Sequence, residues 1–280
     1  LNAFLVDVYG RGEIVRAGRI PAKLVYQNEA YEKAVSGFIP PKGVYSHIVG
    51  IDLVRTGRDD FFVLEDNCRT PSGVSYMLEN REIMMRMFPE LFRENRIEPV
   101  DGYSEKLRRT LASVAPKKCA GEPTVVILTP GHFNSAYYEH SLLADLMGVE
   151  LVEGQDLFVD GEYVWMRTTE GPRRVDVIYR RIDDAYLDPL CFRPDSMLGI
   201  PGLMDVYRAG GVSICSAPGA GVADDKAVYT YVPEMIRFYL GEEPILNNVP
   251  TWQCGKAEDL KHVLSCLPEL VVKEVHGSGG

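Results

Sequence analysis

The sequence is short of positive charge and has no long apolar run. Its 280 residues contain 30 lysines and arginines against 40 aspartates and glutamates, a formal net charge of −10. Because nucleic-acid backbones are bound by basic surfaces, this balance argues against general nucleic-acid binding. No stretch approaches the roughly 18 consecutive apolar residues that a membrane-spanning helix needs. We therefore expect neither a nucleic acid nor a membrane as partner.

Cysteine patterns that bind zinc or form redox pairs are also missing. The six cysteines are scattered, without a CxxC pair or a suitable histidine spacing. We expect reduced thiols in a cytoplasmic protein, most of them buried as small apolar side chains. The GxxxxGK[ST] and GxGxxG patterns are absent as well, so neither standard nucleotide-binding turn is predicted.

An acidic β-hairpin is the most informative feature that is present. Residues 50–54 and 61–67 have the pattern of two strands, each with apolar side chains beside acidic ones. A two-residue turn at 58–59 would place Asp52 directly opposite Glu65. Two carboxylates that face each other on a sheet repel, so a cation between them would stabilise the pair.

Asn67 extends the same face of this hairpin. It follows Glu65 by two residues, and side chains alternate along a strand. Oxygen ligands from Asp, Glu and Asn suit Mg²⁺ held against nucleotide phosphates. A solvent-exposed acidic hairpin without a metal is the alternative interpretation.

The chain divides by pattern into three segments. Residues 1–115 contain the hairpin and three predicted helices, at 74–92, at 104–114 and at the N-terminus, the last with Leu1, Phe4, Leu5 and Val8 on one face. The helix at 74–92 is predicted to direct six apolar side chains toward a core, Met77, Leu78, Ile83, Met84, Met87 and Leu91. Residues 116–220 alternate strands and helices as in a small doubly wound α/β unit. Residues 221–280 begin a further lobe. In the second and third segments we predict strands at 124–128, 150–152, 157–159, 163–165, 175–179, 212–215 and 270–275, and helices at 135–147 and 227–239.

Two lysines in the last segment suit phosphate binding. Lys226 opens the predicted helix, and Lys273 lies in the last predicted strand, just before a glycine-rich turn at 277–280. Glycines let backbone N–H groups approach a phosphate, and an ammonium supplies charge. A flexible appended tail is the alternative for this turn.

Together these elements resemble the circularly permuted ATP-grasp ligases. Asp52 with Glu65-x-Asn67 resembles their metal-binding end, and Asp225-Lys226 resembles the start of their nucleotide lobe. In ordinary ATP-grasp enzymes the Glu-x-Asn element comes last, whereas here it comes first. The sequence is closest to the type 2, glutathionylspermidine synthetase-like branch, and the resemblance covers essentially the whole chain. The implied fold class is α/β, an incomplete permuted ATP-grasp with a small doubly wound domain.

The resemblance implies ATP and Mg²⁺ as cofactors. Asp52, Glu65 and Asn67 would hold Mg²⁺, and Lys226 and Lys273 would contact ATP. The loop that would cover the ATP phosphates comprises Gly277, Ser278, Gly279 and Gly280.

The implied reaction joins a small-molecule or peptide carboxylate to an amine acceptor through an acyl phosphate. Arg69 is the catalytic candidate, since its guanidinium fork fits a carboxylate or an acyl phosphate. Neutralising the acidic hairpin is the alternative role of Arg69. Two other functions stay open, a catalytically degenerate binding or scaffold subunit and a phosphotransferase that uses the same site. Both ends read as cut, so we expect this segment alone to lack ligase activity.

Three further residues are substrate candidates. His132 and Asn134 follow the first strand of the α/β segment, at the carboxyl end of its sheet, where ligands usually bind. Arg180 ends another strand, just before Asp183 and Asp184, and pairing with those acids is the slightly favoured alternative. His140, on the next helix, is expected to be packed or on the surface.

Overall fold

The computed structural model describes residues 1–275. The described residues form ten strands, β1 (Gly50–Arg55), β2 (Phe61–Asn67), β3 (Val125–Leu128), β4 (Glu150–Val152), β5 (Leu157–Asp160), β6 (Tyr163–Met166), β7 (Arg173–Val175), β8 (Val177–Arg180), β9 (Ser213–Cys215) and β10 (Asn247–Asn248). The α-helices in the same range are α1 (Asn2–Tyr9), α2 (Glu13–Arg16), α3 (Ala22–Tyr26), α4 (Val74–Met87), α5 (Pro89–Glu94), α6 (Tyr103–Ala112), α7 (Tyr137–Met147), α8 (Asp184–Leu187), α9 (Leu203–Arg208), α10 (Lys226–Tyr229), α11 (Val232–Leu240) and α12 (Ala257–Cys266).

The chain forms two compact units rather than three consecutive segments. The hairpin unit combines Leu1–Gly37, Val49–Arg69 and the described residues from Gly219 onward. The α/β unit combines Phe38–Ile48 with Thr70–Pro218. The stretch 70–115, predicted to belong with the hairpin, falls in the α/β unit because α6 packs its apolar side chains onto that unit's sheet.

A four-stranded parallel sheet forms the centre of the α/β unit. Its strand order is β4-β3-β8-β9, so the order reverses at β3, as in doubly wound sheets. Every residue of β3, β8 and β9 is buried, which explains why the sequence shows continuous apolar runs there. Helices α6 and α7 supply the core of one face, built from Leu107, Leu111, Val114, Val125, Ile127, Leu143, Ala144, Met147, Val177, Tyr179 and Cys215.

A small antiparallel sheet, β5-β6-β7, completes this unit. The predicted hairpin is confirmed, since Asp160 pairs with Tyr163 and Gly161 takes a positive φ of 59° in the turn. The single strand predicted at 175–179 is wrong. Asp176 separates β7 from β8, which belong to different sheets, and its carboxylate accepts a hydrogen bond from the Thr124 N–H at 3.0 Å.

The hairpin unit is built on β1, β2 and β10. The first two strands are antiparallel, and β10 pairs with β2 in parallel. Helix α1 buries Phe4, Leu5 and Val8, the face that the sequence pattern predicts.

Three helix and strand predictions need correction. The helix predicted at 74–92 ends at Met87, because Pro89 lacks an N–H and starts α5 instead. The predicted helix 227–239 divides into α10 and α11. Among the described residues, 270–275 do not form a strand.

The apolar face of α4 and α5 is also not in a core. The side chains predicted to be buried are exposed at five of six positions, Met77, Ile83, Met84, Met87 and Leu91. The predicted helical structure is confirmed, but periodicity alone does not determine whether another element covers the apolar face of the helix.

Candidate metal and nucleotide site

The hairpin register places the two predicted metal ligands opposite each other. Asp52 pairs with Glu65, as expected, but the turn is not the predicted two-residue turn. Arg55 pairs with Phe61, and the Thr56 N–H donates to the Asp60 carbonyl at 3.0 Å. A bulge beside Asp52 then shifts the register by one residue, and this shift restores the predicted pairing of Asp52 with Glu65.

The two carboxyl groups interact directly. Asp52 keeps an exposed side, yet partial burial, a hydrogen bond with Glu65 and the charge of that carboxylate raise the pKa of Asp52. A hydrogen bond between two carboxyl groups requires a proton on one of them, because ionised carboxylates only accept. A divalent cation at this position would remove the need for that proton.

Two lysines also lie close to the Glu65 carboxylate. Lys226 Nζ is 3.7 Å and Lys273 Nζ is 3.8 Å from Glu65 Oε2. Lys226 is fixed at the start of α10, where the Asp225 side chain accepts the N–H groups of Ala227 and Val228. Lys273 reaches the same carboxylate from an irregular segment rather than from the strand predicted for it. The structure thus brings both predicted ATP-contacting lysines to one predicted metal ligand.

Asn67 and its neighbour Asp66 lie on opposite faces of β2. Asn67 pairs with Gly50 and shares the face of Glu65 by strand alternation. Asp66 is buried, and burial raises its pKa to about 6, with Asp224 and Asp52 adding to the shift. Asp66 therefore contributes no oxygen to the exposed face.

The donor set fits a divalent ion that is completed by phosphates. Within residues 1–275, no group of three or more His, Cys, Asp or Glu side chains is arranged to hold a metal. Asp52, Glu65 and Asn67 provide two carboxylates and an amide. Mg²⁺ is commonly held by one or two carboxylates together with substrate phosphates and water, so this set does not need a third acid.

Arg69 follows β2 and pairs with an acid that the sequence did not single out. Its Nε is 3.3 Å from Asp224 Oδ2, and Asp224 Oδ1 accepts the N–H groups of Cys68 and Arg69. Arg69 therefore pairs with an acid, but this acid lies in the turn Ala220–Asp224 and not on the hairpin that the alternative role named. The only sequence signal for this contact is the charged triplet 224–226.

His132 and Asn134 occupy the loop after β3, within the α/β unit. Both are exposed, and the Asn134 side chain accepts the Ala136 N–H at 2.9 Å. The His132 ring lies against Phe133, with 4.0 Å between ring centroids, and Phe133 is 93% exposed. The predicted location at the carboxyl end of the parallel sheet is confirmed, and the substrate role remains a prediction.

Arg180 does not present its guanidinium to solvent. It is fully buried, donates to the Ser216 and Ile182 carbonyls at 2.9 and 2.7 Å, and forms an ion pair with Asp184 at 2.6 Å. Pairing with a neighbouring acid was the favoured alternative and is what the structure shows. We therefore correct the substrate assignment of Arg180 to a structural one.

A second buried ion pair was missed by sequence reasoning. Arg181 pairs with Glu139 at 3.1 Å, and the other oxygen of Glu139 accepts the N–H of Gly73 and the hydroxyl of Ser75. His140, beside this pair, is buried against Thr129, and burial with help from Arg181 lowers its pKa to about 4. No local pattern in the sequence predicts that Glu139 contacts Arg181, Gly73 and Ser75, which lie tens of residues away in the chain.

A family comparison identifies the class of protein to which this chain belongs. A family model described as a circularly permuted ATP-grasp matches residues 1–280, and the chain belongs to this family. Members of the family use ATP with a divalent metal. The match covers the permuted ATP-grasp family as a whole, within which the type 2 branch stays a prediction. The residues Gly277, Ser278, Gly279 and Gly280 lie outside the described part of the chain.

Similar proteins occur in species of Synechocystis, Mycobacterium and Frankia. The Synechocystis protein sll0335 and the Mycobacterium tuberculosis protein Rv2411c, whose names state no function, are each 56% identical over 280 residues. The matches cover all of this chain and 58% and 51% of those proteins, so the chain spans about half their length. A Frankia casuarinae protein provisionally named glutamate–cysteine ligase 2-2 is 45% identical over 282 residues, which cover 100% of this chain and 32% of that protein.

In the described range, none of the helices has both the length and the apolar composition needed to traverse a lipid bilayer.

Proposed function

We propose that the protein is an ATP- and Mg²⁺-dependent ligase that joins a carboxylate to an amine through an acyl phosphate. The observation that carries the proposal is the position of Glu65, which pairs with Asp52 across the hairpin and lies within 4 Å of two lysines. Family membership supports ATP and a divalent ion at such a cluster. The hard oxygen donors favour Mg²⁺ among the divalent ions.

Each part of the cluster has a role in phosphoryl transfer. Asp52, Glu65 and Asn67 would hold Mg²⁺, which when bound neutralises charge on the phosphates. Lys226 and Lys273 now contact a carboxylate and would exchange it for phosphate oxygens when Mg²⁺ occupies Glu65. Catalysis of this kind rests mainly on positioning and charge neutralisation.

Arg69 is the proposed contact for the acyl group. Its planar guanidinium can bind a carboxylate or an acyl phosphate with two parallel hydrogen bonds. About one third of the side chain is exposed, so it is accessible while paired with Asp224.

A substrate carboxylate that attacks the γ-phosphate would form the acyl phosphate and release ADP. The amine would then displace phosphate and form the amide.

The first substrates to test are glutamate as the acid and cysteine as the amine. The reason is the provisional name of the Frankia relative, although the matched region is a third of that protein and the name does not say which region acts. His132 and Asn134, in the exposed loop after β3, are the proposed substrate contacts on the α/β unit. The need for ATP fits a cytoplasmic location, which cell fractionation would test.

The decisive experiment uses the full natural chain that contains residues 1–280 and measures ADP formation with a panel of acids and amines, with hydroxylamine added to trap acyl phosphates. We expect ADP, a hydroxamate and an amide, all lost in Glu65→Gln. ADP with a phosphorylated product but no amide would identify a phosphotransferase. Folded protein that forms no ADP with any pair would favour a degenerate scaffold subunit.

Residues 1–280 alone should bind Mg-ATP weakly or not at all, and should show no ligase activity. Titration calorimetry that finds tight, Mg²⁺-dependent ATP binding by this chain would contradict the prediction.

A further inference from the structure

Asp224 makes two kinds of contact with the residue proposed to bind the acyl group. Its Oδ1 accepts the backbone N–H of Cys68 and that of Arg69, the latter at 3.1 Å. Its Oδ2 lies 3.3 Å from the Nε of Arg69. One carboxylate therefore fixes both the backbone and the guanidinium of the same arginine.

The turn that carries Asp224 also packs against the Arg69 side chain. A Cβ atom on Gly221 would lie 3.4 Å from the Cδ of Arg69, an ordinary van der Waals distance, and 3.1 Å from the Cβ of Ala30. The stem of Arg69 therefore lies directly against the turn Ala220–Asp224, whose last residue pairs with its guanidinium.

The three consecutive charged residues 224–226 divide their contacts. Asp225 caps α10 and accepts a hydrogen bond from the Asn28 side chain at 2.7 Å, while Lys226 lies against Glu65. Asp224 is the member directed to the residues that follow β2. Lys226 therefore contacts Glu65 in β2, and Asp224 contacts the two residues that follow β2. Both contacts come from one turn of the chain.

From this geometry we propose that Asp224 is the positioning residue for Arg69. It holds the guanidinium in one orientation, in which the arginine receives the carboxylate or acyl phosphate of the substrate. The proposal rests on the proposed function for the substrate, but the orientation of Arg69 can be measured without it. Asp224 does not itself touch substrate in this proposal.

The variant Asp224→Asn separates the two contacts. The asparagine oxygen can still accept the backbone N–H groups, whereas the amide nitrogen cannot pair with the guanidinium. The matched control is Asp225→Asn, one residue further, which weakens the α10 cap and the contact with Asn28.

The first measurement is the Nε–Hε signal of Arg69 by NMR, assigned by its absence in Arg69→Lys. We expect a distinct, slowly exchanging signal in the wild-type chain, its loss in Asp224→Asn and its retention in Asp225→Asn. An unchanged Arg69 signal in Asp224→Asn would overturn the proposal.

The second measurement is ADP formation by the full natural chain that contains residues 1–280, with its acid substrate. Asp224→Asn should lower kcat by about ten- to a hundred-fold, the effect of a small misplacement, and change the KM for ATP by less than about two-fold. The double variant with Arg69→Lys should be no slower than Arg69→Lys alone, because the two residues act as a unit. If the loss of kcat in the double variant equalled the product of the two single losses, the positioning role would be contradicted. If the wild type forms no ADP, the proposed function fails, while the NMR result still decides whether Asp224 orients Arg69.

Discussion

The two units handle acidic side chains in opposite ways. In the α/β unit, the acids Glu139 and Asp184 are buried, and each faces a buried arginine, with side-chain exposures of 5% or less throughout. In the hairpin unit, Asp52 and Glu65 face each other on partly exposed strands, and the lysines beside Glu65 lie at 3.7 and 3.8 Å.

This contrast separates charges that have a structural partner from charges that are proposed to bind a cation. A buried ion pair is expensive to break because one charge is then left without a partner. Two like charges held together have no such structural explanation, and they suit a site that is completed by a bound cation. If the distinction holds, variants of the two kinds of charge should differ in stability, in pH dependence and in the response to Mg²⁺.

Removing the charge of Glu139 should cost the most stability. Glu139→Gln leaves Arg181 buried without its counter-ion, and we expect a loss of about 3 to 5 kcal/mol in the free energy of unfolding, measured by urea denaturation. The control is Glu122→Gln, which breaks the exposed pair with Arg108 and should change stability little. Equal losses in the two variants would remove the distinction between the units.

The pH dependence of stability should have opposite signs in the two units. The pKa of His140 falls to about 4 on folding, so its contribution is present above pH 6.5 and is lost as the pH falls through 4. The pKa of Asp66 rises to about 6 on folding. Its contribution to the stability of the folded state is therefore present at low pH and is lost as the pH rises through 6.

Urea denaturation between about pH 4 and pH 7 measures both effects. His140→Gln should remove the acid sensitivity, and Asp66→Asn should remove the opposing slope, each on the order of 2 kcal/mol. If the two variants shift the profile in the same direction, at least one of the assigned environments is wrong.

Removing one facing carboxylate should have a small, favourable effect on the metal-free protein. Asp52→Asn ends the repulsion with Glu65, and because Asp52 is exposed we expect a gain of about 0.5 kcal/mol or less. Added Mg²⁺ should raise the Tm of the wild type and leave the variant unchanged. Asp59→Asn, in the exposed hairpin loop, is the control that should retain the response to Mg²⁺.

The smallest effect on stability is expected in the loop after β3. His132→Ala removes an exposed ring, so thermal denaturation should not change measurably. A role in substrate binding would instead raise the KM for the acid or the amine. An altered Tm with an unchanged KM would assign the residue to the fold.

Local patterns accounted for much of the fold because they depend on neighbours in the chain. The buried strands β3 and β9, the helix α7 and the hairpin at Asp160 follow from apolar runs, periodicity and turn residues. The divided strand at Asp176 and the exposed face of α4 did not follow, since both depend on which other elements pack against them.

In the candidate site, the sequence alone places Glu65 and Asn67 on one face of β2, because side chains alternate along a strand. The pairing of Asp52 with Glu65 and the contacts around them depend on the tertiary structure. It supplied the bulge that sets the register and brought Lys273 to Glu65 without a strand. It also placed Asp224 on Arg69, 155 residues away in the chain, a contact that no local pattern encodes.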